Sequence, residues 1–301
     1  MTALRSGFSD LLAPGFRKMY HDKFGTYPEE FSKVFDTSGS VRQYEDESEF
    51  SGLGSMPAKE EGVAISFDEA YQGYDKRYTH TTYALGFRVS EELWEDDLYG
   101  IMNRMPKSLA TSGKQTKEVV NANHVNNGFS DTYTGPDSEP LFGDATTKLH
   151  PRLDGGTWRN QLATAADLSV TSLEALIQVL EETVDDRGLL VMLKAIKLIV
   201  PGELKWNARE LLDSMDKPYT SNNEINPLRD EGLKYVVWHY LTDADAFFLQ
   251  AEGHYMKHLD RIKPQFKNDD DFHTGDALFK ARLRFSSGWS GARGMAGSPG
   301  A

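Results

Sequence analysis

The sequence predicts an α+β fold, with helical and strand patterns in separate parts of the chain. Two segments alternate between apolar and polar residues, as half-buried strands do: residues 77–89 and residues 277–285. Between them, apolar residues recur at helical spacing, first after Ser90 and again from Leu173 to Val184. No repeat of fixed period is present, so the sequence does not indicate a solenoid or a propeller.

Composition limits the classes of protein to which the chain can belong. Its 301 residues, 39% of them hydrophobic, suffice for one large domain or two modest ones with packed cores. The absence of cysteine excludes disulfides, thiolate zinc sites and a cysteine nucleophile. Acidic residues outnumber basic ones by 46 to 33, and no basic patch of the kind expected in a specific nucleic-acid binder is evident. Neither secretion nor membrane spanning is expected, since no run approaches about 18 apolar residues.

Residues 1–62 combine short helical segments with acidic loops. Apolar residues at helical spacing occur in two groups, Leu11, Leu12, Phe16 and Tyr20, and then Phe31, Val34 and Phe35. The segment offers no long element that could bury them. We therefore expect this arm to need a surface supplied from elsewhere.

Residues 63–89 are predicted to form a long antiparallel hairpin. Val63, Ile65 and Phe67 alternate with small or polar residues in GVAISFD, and RYTHTTYALGFRV alternates in the same way. Gly73 lies in the connection between the two strands. Because an isolated two-stranded hairpin is marginally stable in water, it too is expected to require a partner surface.

A long helix is predicted after the hairpin. Ser90 can cap it, and Trp94 and Leu98 begin an apolar face that extends toward Asn126. Pro106 is expected to bend or interrupt the helix, because proline lacks the backbone N–H and clashes with the preceding turn.

From residue 130 a loop is predicted, followed by a mixed α/β region. Thr171 and Glu174 match a capping box at the start of one helix. The elements expected after it are a strand at KAIKLIVP, a helix at PGELKWNARELLDSM, a hairpin of KYVVWHYL with AFFLQAE, and a last strand at DALFKARLRFSSGW. Asn268–Asp271 is interpreted as a solvated turn. The glycine-rich stretch that follows keeps Trp289 and Met295, which indicates a buried, crowded seam rather than a free tail.

Few residues suggest chemistry. His254 and His258, with Asp260 nearby, could offer two imidazoles to a metal if they lay on a helix, but no third ligand is evident, and local hydrogen bonding is favoured. Asp185 and Asp186 are too ordinary a pair to nominate as general acid and base. GxxxxGK[ST] and GxSxG are absent, and no GxGxxG lies between a strand and a helix. We predict no catalytic, cofactor-binding or metal-binding residue, and no enzyme.

Several stretches, taken in order, resemble the major capsid proteins of tailed bacteriophages with the Hong Kong ninety-seven shell fold. They include GLGSMPAKEEGVAISFDEAYQGYDKRYTHTTYALGFRVSEELWEDDLYG, KEVVNANHVNNGFS, GGTWRNQLATAADLS, DDRGLL, KLIVPGEL and FSSGWSGARGMAGSPGA. The resemblance implies five parts. They are an N-terminal arm at 1–62, an E-loop hairpin at 63–89, a peripheral domain with a spine helix at 90–129, an axial domain at 130–255, and a return to the peripheral-domain sheet with a C-terminal segment at 256–301.

The resemblance also implies a function. The chain is expected to self-assemble into hexamers and pentamers of an icosahedral head around double-stranded DNA, bound without sequence specificity. A separate scaffolding protein, a portal and a decoration protein are the expected partners, with assembly in the bacterial host cytoplasm and a final location in the virion. Some relatives crosslink an E-loop lysine; Lys76 lies at the expected hairpin tip, but a surface lysine is the favoured interpretation. The alternatives are an encapsulin-like nanocompartment shell protein and, more distantly, a soluble α/β hydrolase.

Overall fold

The computed structural model describes residues 8–90, 92–93, 100, 102–144, 146–216, 225–271 and 274–301. The helices within these ranges are Phe8–Thr26 (α1), Met105–Asn126 (α2), Val170–Glu181 (α3), Lys205–Asp213 (α4) and Pro227–Asp230 (α5), with a 3-10 turn at Phe31–Lys33. The strands are Asp36–Gly39 (β1), Tyr44–Phe50 (β2), Gln72–Thr79 (β3), Thr81–Val89 (β4), His150–Pro151 (β5), Thr157–Trp158 (β6), Ala195–Val200 (β7), Lys234–Val237 (β8), Phe247–Ala251 (β9), Met256–Asp270 (β10), Ala277–Trp289 (β11) and Met295–Ser298 (β12).

The first sheet has the strand order β1-β10-β11-β4. β10 and β11 form its long antiparallel centre, β4 pairs antiparallel with β11, and β1 runs parallel to β10. The predicted alternation of β11 is confirmed, because Phe279, Ala281, Leu283 and Phe285 are all buried. They face the layer formed by α1 and α2, which supplies Phe16 and other apolar side chains to the same core.

The second sheet has the strand order β12-β9-β7-β8. Its centre, β7, confirms the strand predicted at KAIKLIVP, and α4 confirms the helix predicted after it. Leucines of α3 and α4 pack on the strands and form a largely aliphatic core. Leu198, Leu173 and Leu211 are buried members of that core.

A third cluster of buried residues joins the two sheets. Phe142, Phe248, Trp238, Trp289 and Met295 belong to it, and they come from both sheets and from the loops between them. β12 pairs with β9 in the second sheet only a few residues after β11 leaves the first. The predicted burial of Trp289 and Met295 is thereby confirmed.

The N-terminal arm buries more of itself than its sequence predicts. Phe16, Tyr20, Phe31, Val34 and Phe35 are all buried within their own chain. The expectation that they need a surface from elsewhere is wrong, because α2 and the first sheet provide that surface. Among the residues whose burial is described, the first large apolar side chain that is exposed is Val41.

The strand pairing predicted for residues 63–89 is also wrong. β3 pairs antiparallel with the preceding strand β2, and β4 pairs with β11 in the first sheet. The chain changes sheet at His80, whose ring nitrogens lie 2.9 Å from Ser40 Oγ and 2.9 Å from Ser286 Oγ. The hairpin is therefore formed by β2 and β3, and Val63 and Phe67 lie in its connection.

Two helix starts differ from those predicted. α2 begins at Met105, with Pro106 in its first turn, where the missing N–H costs nothing, so this proline starts a helix instead of bending one. The preceding residues Trp94 and Leu98 lie outside the described ranges. α3 is capped two residues earlier than predicted, by Ser169 and Ser172, which form a reciprocal capping box.

Two predictions in the last third of the chain also need correction. β8 and β9 do not pair as a hairpin: β7 lies between them, parallel to β8 and antiparallel to β9. Asn268–Asp270 is not a turn either, because it continues β10 and pairs with Ala277–Phe279. The first error concerns the partner of a strand, and the second concerns where a strand ends.

Candidate assembly surfaces

A long connection between β2 and β3 exposes large apolar side chains to solvent. We call residues 51–71 the connecting loop. Met56 is 97% exposed and Phe67 is 90% exposed. The other exposed apolar residues of the loop are Leu53, Val63, Ile65 and Tyr71. An exposed group of this size is typical of a surface that binds another protein.

Ion pairs fix the β2–β3 hairpin to the body of the protein at the end where β2 enters the connecting loop. Arg293 Nη1 donates to Glu49 Oε1 at 2.6 Å, and Arg293 Nη2 donates to Asp186 Oδ1 at 2.8 Å. The guanidinium also donates from Nε to the Val184 carbonyl and lies 5.1 Å from the centre of the Trp158 ring. Burial raises the pKa of the Glu49 carboxyl, although the charge of Arg293 opposes this shift. The hairpin is thus held to the body at the end that carries the connecting loop.

A polar cavity of about 500 Å³ lies between the loop end of the hairpin and the body. Its lining includes Glu47, Glu49, Asp186, Lys257 and Arg293. Lys257 pairs with Glu47, and Arg293 pairs with both other acids, so these charges are already matched. Small-molecule sites are mostly apolar with a few unmatched polar groups, and this cavity has the opposite character.

Arg187 holds the two ends of the connecting loop. Its Nη2 lies 2.7 Å from Asp68 Oδ1 and 2.7 Å from the Glu69 carbonyl oxygen, and its guanidinium lies 4.7 Å from the centre of the Tyr71 ring. Asp68 Oδ2 also accepts a hydrogen bond from the Gly54 N–H. These hydrogen bonds lower the pKa of Asp68, the Gly54 amide contributing most.

Lys76 does not lie at a hairpin tip. It is in the middle of β3, opposite Glu47 of β2 in the strand register, and its Nζ lies 5.5 Å from the centre of the Trp289 ring. Burial lowers the pKa of this amine. The expected tip position is wrong because the connection belongs to residues 51–71.

His254, His258 and Asp260 lie in and just before β10, so the helical spacing that a shared metal would require does not occur. His258 is fully buried, with Nδ1 3.0 Å from Asn121 Oδ1 and Nε2 3.3 Å from Asp260 Oδ1. Lys117 Nζ donates to Asp260 at 2.9 Å. Although burial opposes the shift, the hydrogen bond with His258 and the charge of Lys117 lower the pKa of Asp260 to about 2. Among the described residues, no group of three acidic or histidine side chains is arranged to bind a metal.

The acidic pair predicted to be unremarkable has a structural role. Asp186 is buried and bound to Arg293, and Asp185 Oδ1 accepts hydrogen bonds from the N–H groups of Arg187 and Leu189 in a turn. Both residues line the polar cavity, but each carboxylate is already bound, Asp186 by Arg293 and Asp185 by backbone N–H groups. No sequence signal indicated the pairing, because Arg293 lies far away along the chain.

A second set of exposed apolar side chains lies around α4. Trp206, Met215 and Ile225 are exposed around α4 and the loop after it, and Trp206 is 66% exposed. Leu190 and Met192 form a third set of exposed apolar side chains. Within the described ranges no helix is long and apolar enough to cross a membrane.

Together, these features define a class of protein. The body contains two sheets joined by a buried cluster, and it carries a fixed hairpin whose apolar connecting loop is exposed. Such an arrangement is typical of a subunit that buries its exposed loop when it assembles with other subunits. The fold is that of the Hong Kong ninety-seven shell proteins, as three solved structures show.

The chain has 12% identity and a TM-score of 0.56 to a structure titled Microbacterium phage Oxtober96, covering 91% of both chains. It has 13% identity and a TM-score of 0.58 to the capsid of an empty GTA particle, covering 89% of this chain and 88% of that one. It has 10% identity and a TM-score of 0.55 to a structure titled Mycobacterium phage Adephagia, covering 90% of this chain and 89% of that one.

The phage capsid protein family model matches residues 73–297, and the chain belongs to this family. No curated protein matches it in sequence. The protein is a major capsid protein, a structural component of a virion shell that forms by self-assembly. This membership favours a phage capsid over an encapsulin-like compartment or a soluble hydrolase.

Proposed function

We propose that this chain forms the hexamers and pentamers of an icosahedral phage head that encloses double-stranded DNA. The observation that carries the proposal is the connecting loop, whose large apolar side chains, Met56 and Phe67 above all, are exposed beside a hairpin that ion pairs hold to the body. A loop of this kind gains stability only when a neighbouring subunit covers it. The role is structural rather than catalytic.

The parts of the chain take the roles that the capsid resemblance implies. The first sheet with α2 acts as the peripheral domain, and the second sheet with α3 and α4 acts as the axial domain. The β2–β3 hairpin acts as the E-loop, and the exposed Trp206, Met215 and Ile225 meet neighbouring axial domains near the capsomer axis. The division at 1–62, 63–89, 90–129, 130–255 and 256–301 follows from the resemblance, with the hairpin strands moved to residues 44–79.

Partners beyond the chain itself complete the head. A separate scaffolding protein directs closure, a portal occupies one vertex, and a decoration protein binds the outer surface, all in the bacterial host cytoplasm. The DNA is held without sequence specificity. A net charge of −13 supports this, because an acidic shell repels the phosphate backbone and lets the genome enter and leave.

Electron microscopy of the purified protein tests the proposal directly. The full chain is produced in bacteria with and without a scaffolding protein, separated by sedimentation, and imaged. Closed shells or rings of five and six subunits are expected, with interfaces of obligate size. Stable monomers at all protein and salt concentrations, with scaffold present, contradict the proposal.

A further inference from the structure

The helical layer on the first sheet carries exposed cations, although the protein as a whole is acidic. Arg17 and Lys18 are exposed on α1, and Arg104 and Lys107 are exposed at the start of α2. Both helices pack on the first sheet through their buried side chains, so their exposed sides point away from it. We call Arg17, Lys18, Arg104 and Lys107 the basic helical surface. No basic patch is evident in the sequence because the two helices lie far apart along the chain.

Few acids oppose these cations. Asp22 is the only exposed acid among the described side chains of α1 and α2. No carboxylate of a described residue forms an ion pair with any of the four cations. Glu29, just after α1, pairs with the buried Lys114, and the buried Glu118 carboxylate accepts hydrogen bonds from backbone N–H groups of the arm. The basic helical surface is therefore open to an anionic partner.

Helix stability does not explain these charges. Lys23 lies in the last turn of α1, where a cation interacts favourably with the negative end of the helix dipole, and it is left out of the surface for that reason. Arg104 is the N-cap residue of α2 and Lys107 lies in its first turn, which contains no acid. A cation at this positive end of a helix costs stability. Two of the four charges thus occupy positions that their own helix disfavours.

The surface suits a polyanion better than a protein. Protein interfaces bury an apolar or aromatic centre, but Val119 is the only large exposed apolar side chain on the described parts of α1 and α2. The exposed side of α2 also presents Ser108 and Gln115. Hydroxyl and amide groups of this kind join Lys and Arg in contacts to phosphate oxygens, which position a nucleic acid but carry no sequence information.

We propose that the basic helical surface binds the phosphate backbone of duplex DNA without reading its sequence. The proposal rests on the proposed function, in which the shell encloses DNA, and it names the residues that contact that DNA. Duplex DNA carries one negative charge per about 1.7 Å of its axis, so four cations on a rigid layer meet phosphates in any register. The acidic remainder of the chain keeps the binding weak, as a genome that enters and leaves requires.

The salt dependence of DNA binding tests the proposal. Fluorescence anisotropy measures the binding of a short labelled duplex of mixed sequence to unassembled full-length subunits, at salt concentrations from about 50 to 200 mM. For wild type with four phosphate contacts, the logarithm of the affinity is expected to fall with the logarithm of the salt concentration with a slope of about −3.6. Lys18→Glu with Lys107→Glu is expected to lower the affinity at least about tenfold and to bring the slope to about −2.

Two further variants serve as controls. Lys18→Arg with Lys107→Arg keeps both charges and is expected to bind as wild type does. Lys194→Glu with Lys234→Glu changes the net charge equally at exposed positions beside and on strands of the second sheet. It is expected to lower the affinity no more than about twofold, because salt screens distant charges beyond about 10 Å. Circular dichroism confirms that each variant is folded.

Three results would overturn the inference. Wild type that does not bind the duplex at about 50 mM salt has no such surface. Equal losses in the Lys18, Lys107 and Lys194, Lys234 charge reversals mean that net charge alone decides binding. Equal binding by wild type and the Lys18→Glu, Lys107→Glu variant, with scaffold-dependent assembly lost in that variant alone, assigns the surface to an acidic scaffolding protein.

Failure of the proposed function is a separate result. If wild type forms no shells under any condition, the shell assignment fails, whereas DNA binding that depends on Lys18 and Lys107 still supports the basic helical surface.

Discussion

At the scale of single residues, Trp289 connects the parts of the molecule. It ends β11, is only 3% exposed, and contacts Lys76 of the hairpin and His124 of α2 through its ring. Gly135 also lies against it, so closely that an added Cβ would be 2.8 Å from the indole nitrogen. The side chain therefore fills space shared by the hairpin, the long helix and a loop.

Trp289→Ala is expected to lower the free energy of unfolding by about 3–5 kcal/mol, because it removes a buried aromatic ring and leaves a cavity. Trp206→Ala is the control, since Trp206 is largely exposed in the unassembled subunit and its loss should change stability by about 0.5 kcal/mol or less. Urea unfolding of unassembled subunits measures both. Equal effects would mean that Trp289 does not anchor the seam.

His80 predicts a pH dependence of stability. Burial, together with the charge of Arg284, lowers the pKa of His80 below the usual 6.5, so the folded state binds the proton less readily than the unfolded state. Its contribution is therefore fully present above pH 6.5 and is lost as the pH falls below that value. His80→Gln keeps a group that can bond to Ser40 and Ser286 but cannot titrate in this range.

Unfolding free energies of wild type and His80→Gln, measured from pH 7.5 down to pH 5, isolate this residue. Wild type is expected to lose stability more steeply than the variant. Parallel curves would show that the ring is not held neutral at the junction of β3 and β4.

At the scale of elements, the sequence predicted which segments form strands and helices better than it predicted their partners. The alternation of apolar and polar residues in β11 predicts that one face of the strand is buried, and in the structure that face is buried. Nothing in the same alternation indicates that β4 is the neighbour, because pairing is decided by packing between segments far apart in sequence. Pro106 illustrates the same limit, since a proline fits the first turn of a helix as readily as it breaks one.

The candidate site was predictable in kind but not in position. Val63 and Phe67 were recognised as apolar residues that need an outside surface, and they are exposed. The sequence predicts a strand here because apolar and polar residues alternate in this irregular loop in the same way as in a strand. The Arg293–Glu49–Asp186 network was not predictable, since its members come from three distant segments.

Phe67→Asp, combined with Met56→Asp, is expected to leave the subunit folded and to reduce shell yield at least about tenfold, because both side chains are solvent-exposed in the subunit and covered in the shell. Sedimentation measures the yield, and circular dichroism measures folding. Normal yield would mean that the loop is not an interface.

Phe87→Asp provides the contrast, because this side chain packs against residues of its own subunit. Phe87 stacks on Phe279, with ring centres 5.1 Å apart, inside its own chain. Placing a carboxylate there should destabilise the unassembled subunit itself by about 2–4 kcal/mol. A stable Phe87→Asp subunit that only fails to assemble would contradict this placement.

At the scale of the whole molecule, residues 286–301 belong to both sheets. They include the end of β11 and all of β12, and Asn160 Nδ2 donates to the Met295 carbonyl oxygen at 3.0 Å from the loop that crosses between the sheets. Ala301, in contrast, is exposed, and its N–H bonds only to Asp167.

Deleting residues 286–301 is expected to abolish shell formation, and deleting only residues 299–301 is expected to be tolerated far better. The longer deletion opens the central cluster by removing Trp289 and Met295, whereas the shorter one removes no large buried side chain. Shell yields of the two truncations, measured side by side, decide the point. Equal yields would show that the seam is not needed.

The position of β11 also affects how the protein is made. β4 is synthesised early, but its partner β11 is among the last strands to be synthesised. In the same way, β9 is synthesised before its partner β12. Pairing over such a distance is slow, and both sheets keep an open edge until then. A chain interrupted before residue 277 lacks both β11 and β12. Neither sheet of the subunit is therefore complete until almost the whole chain has been synthesised.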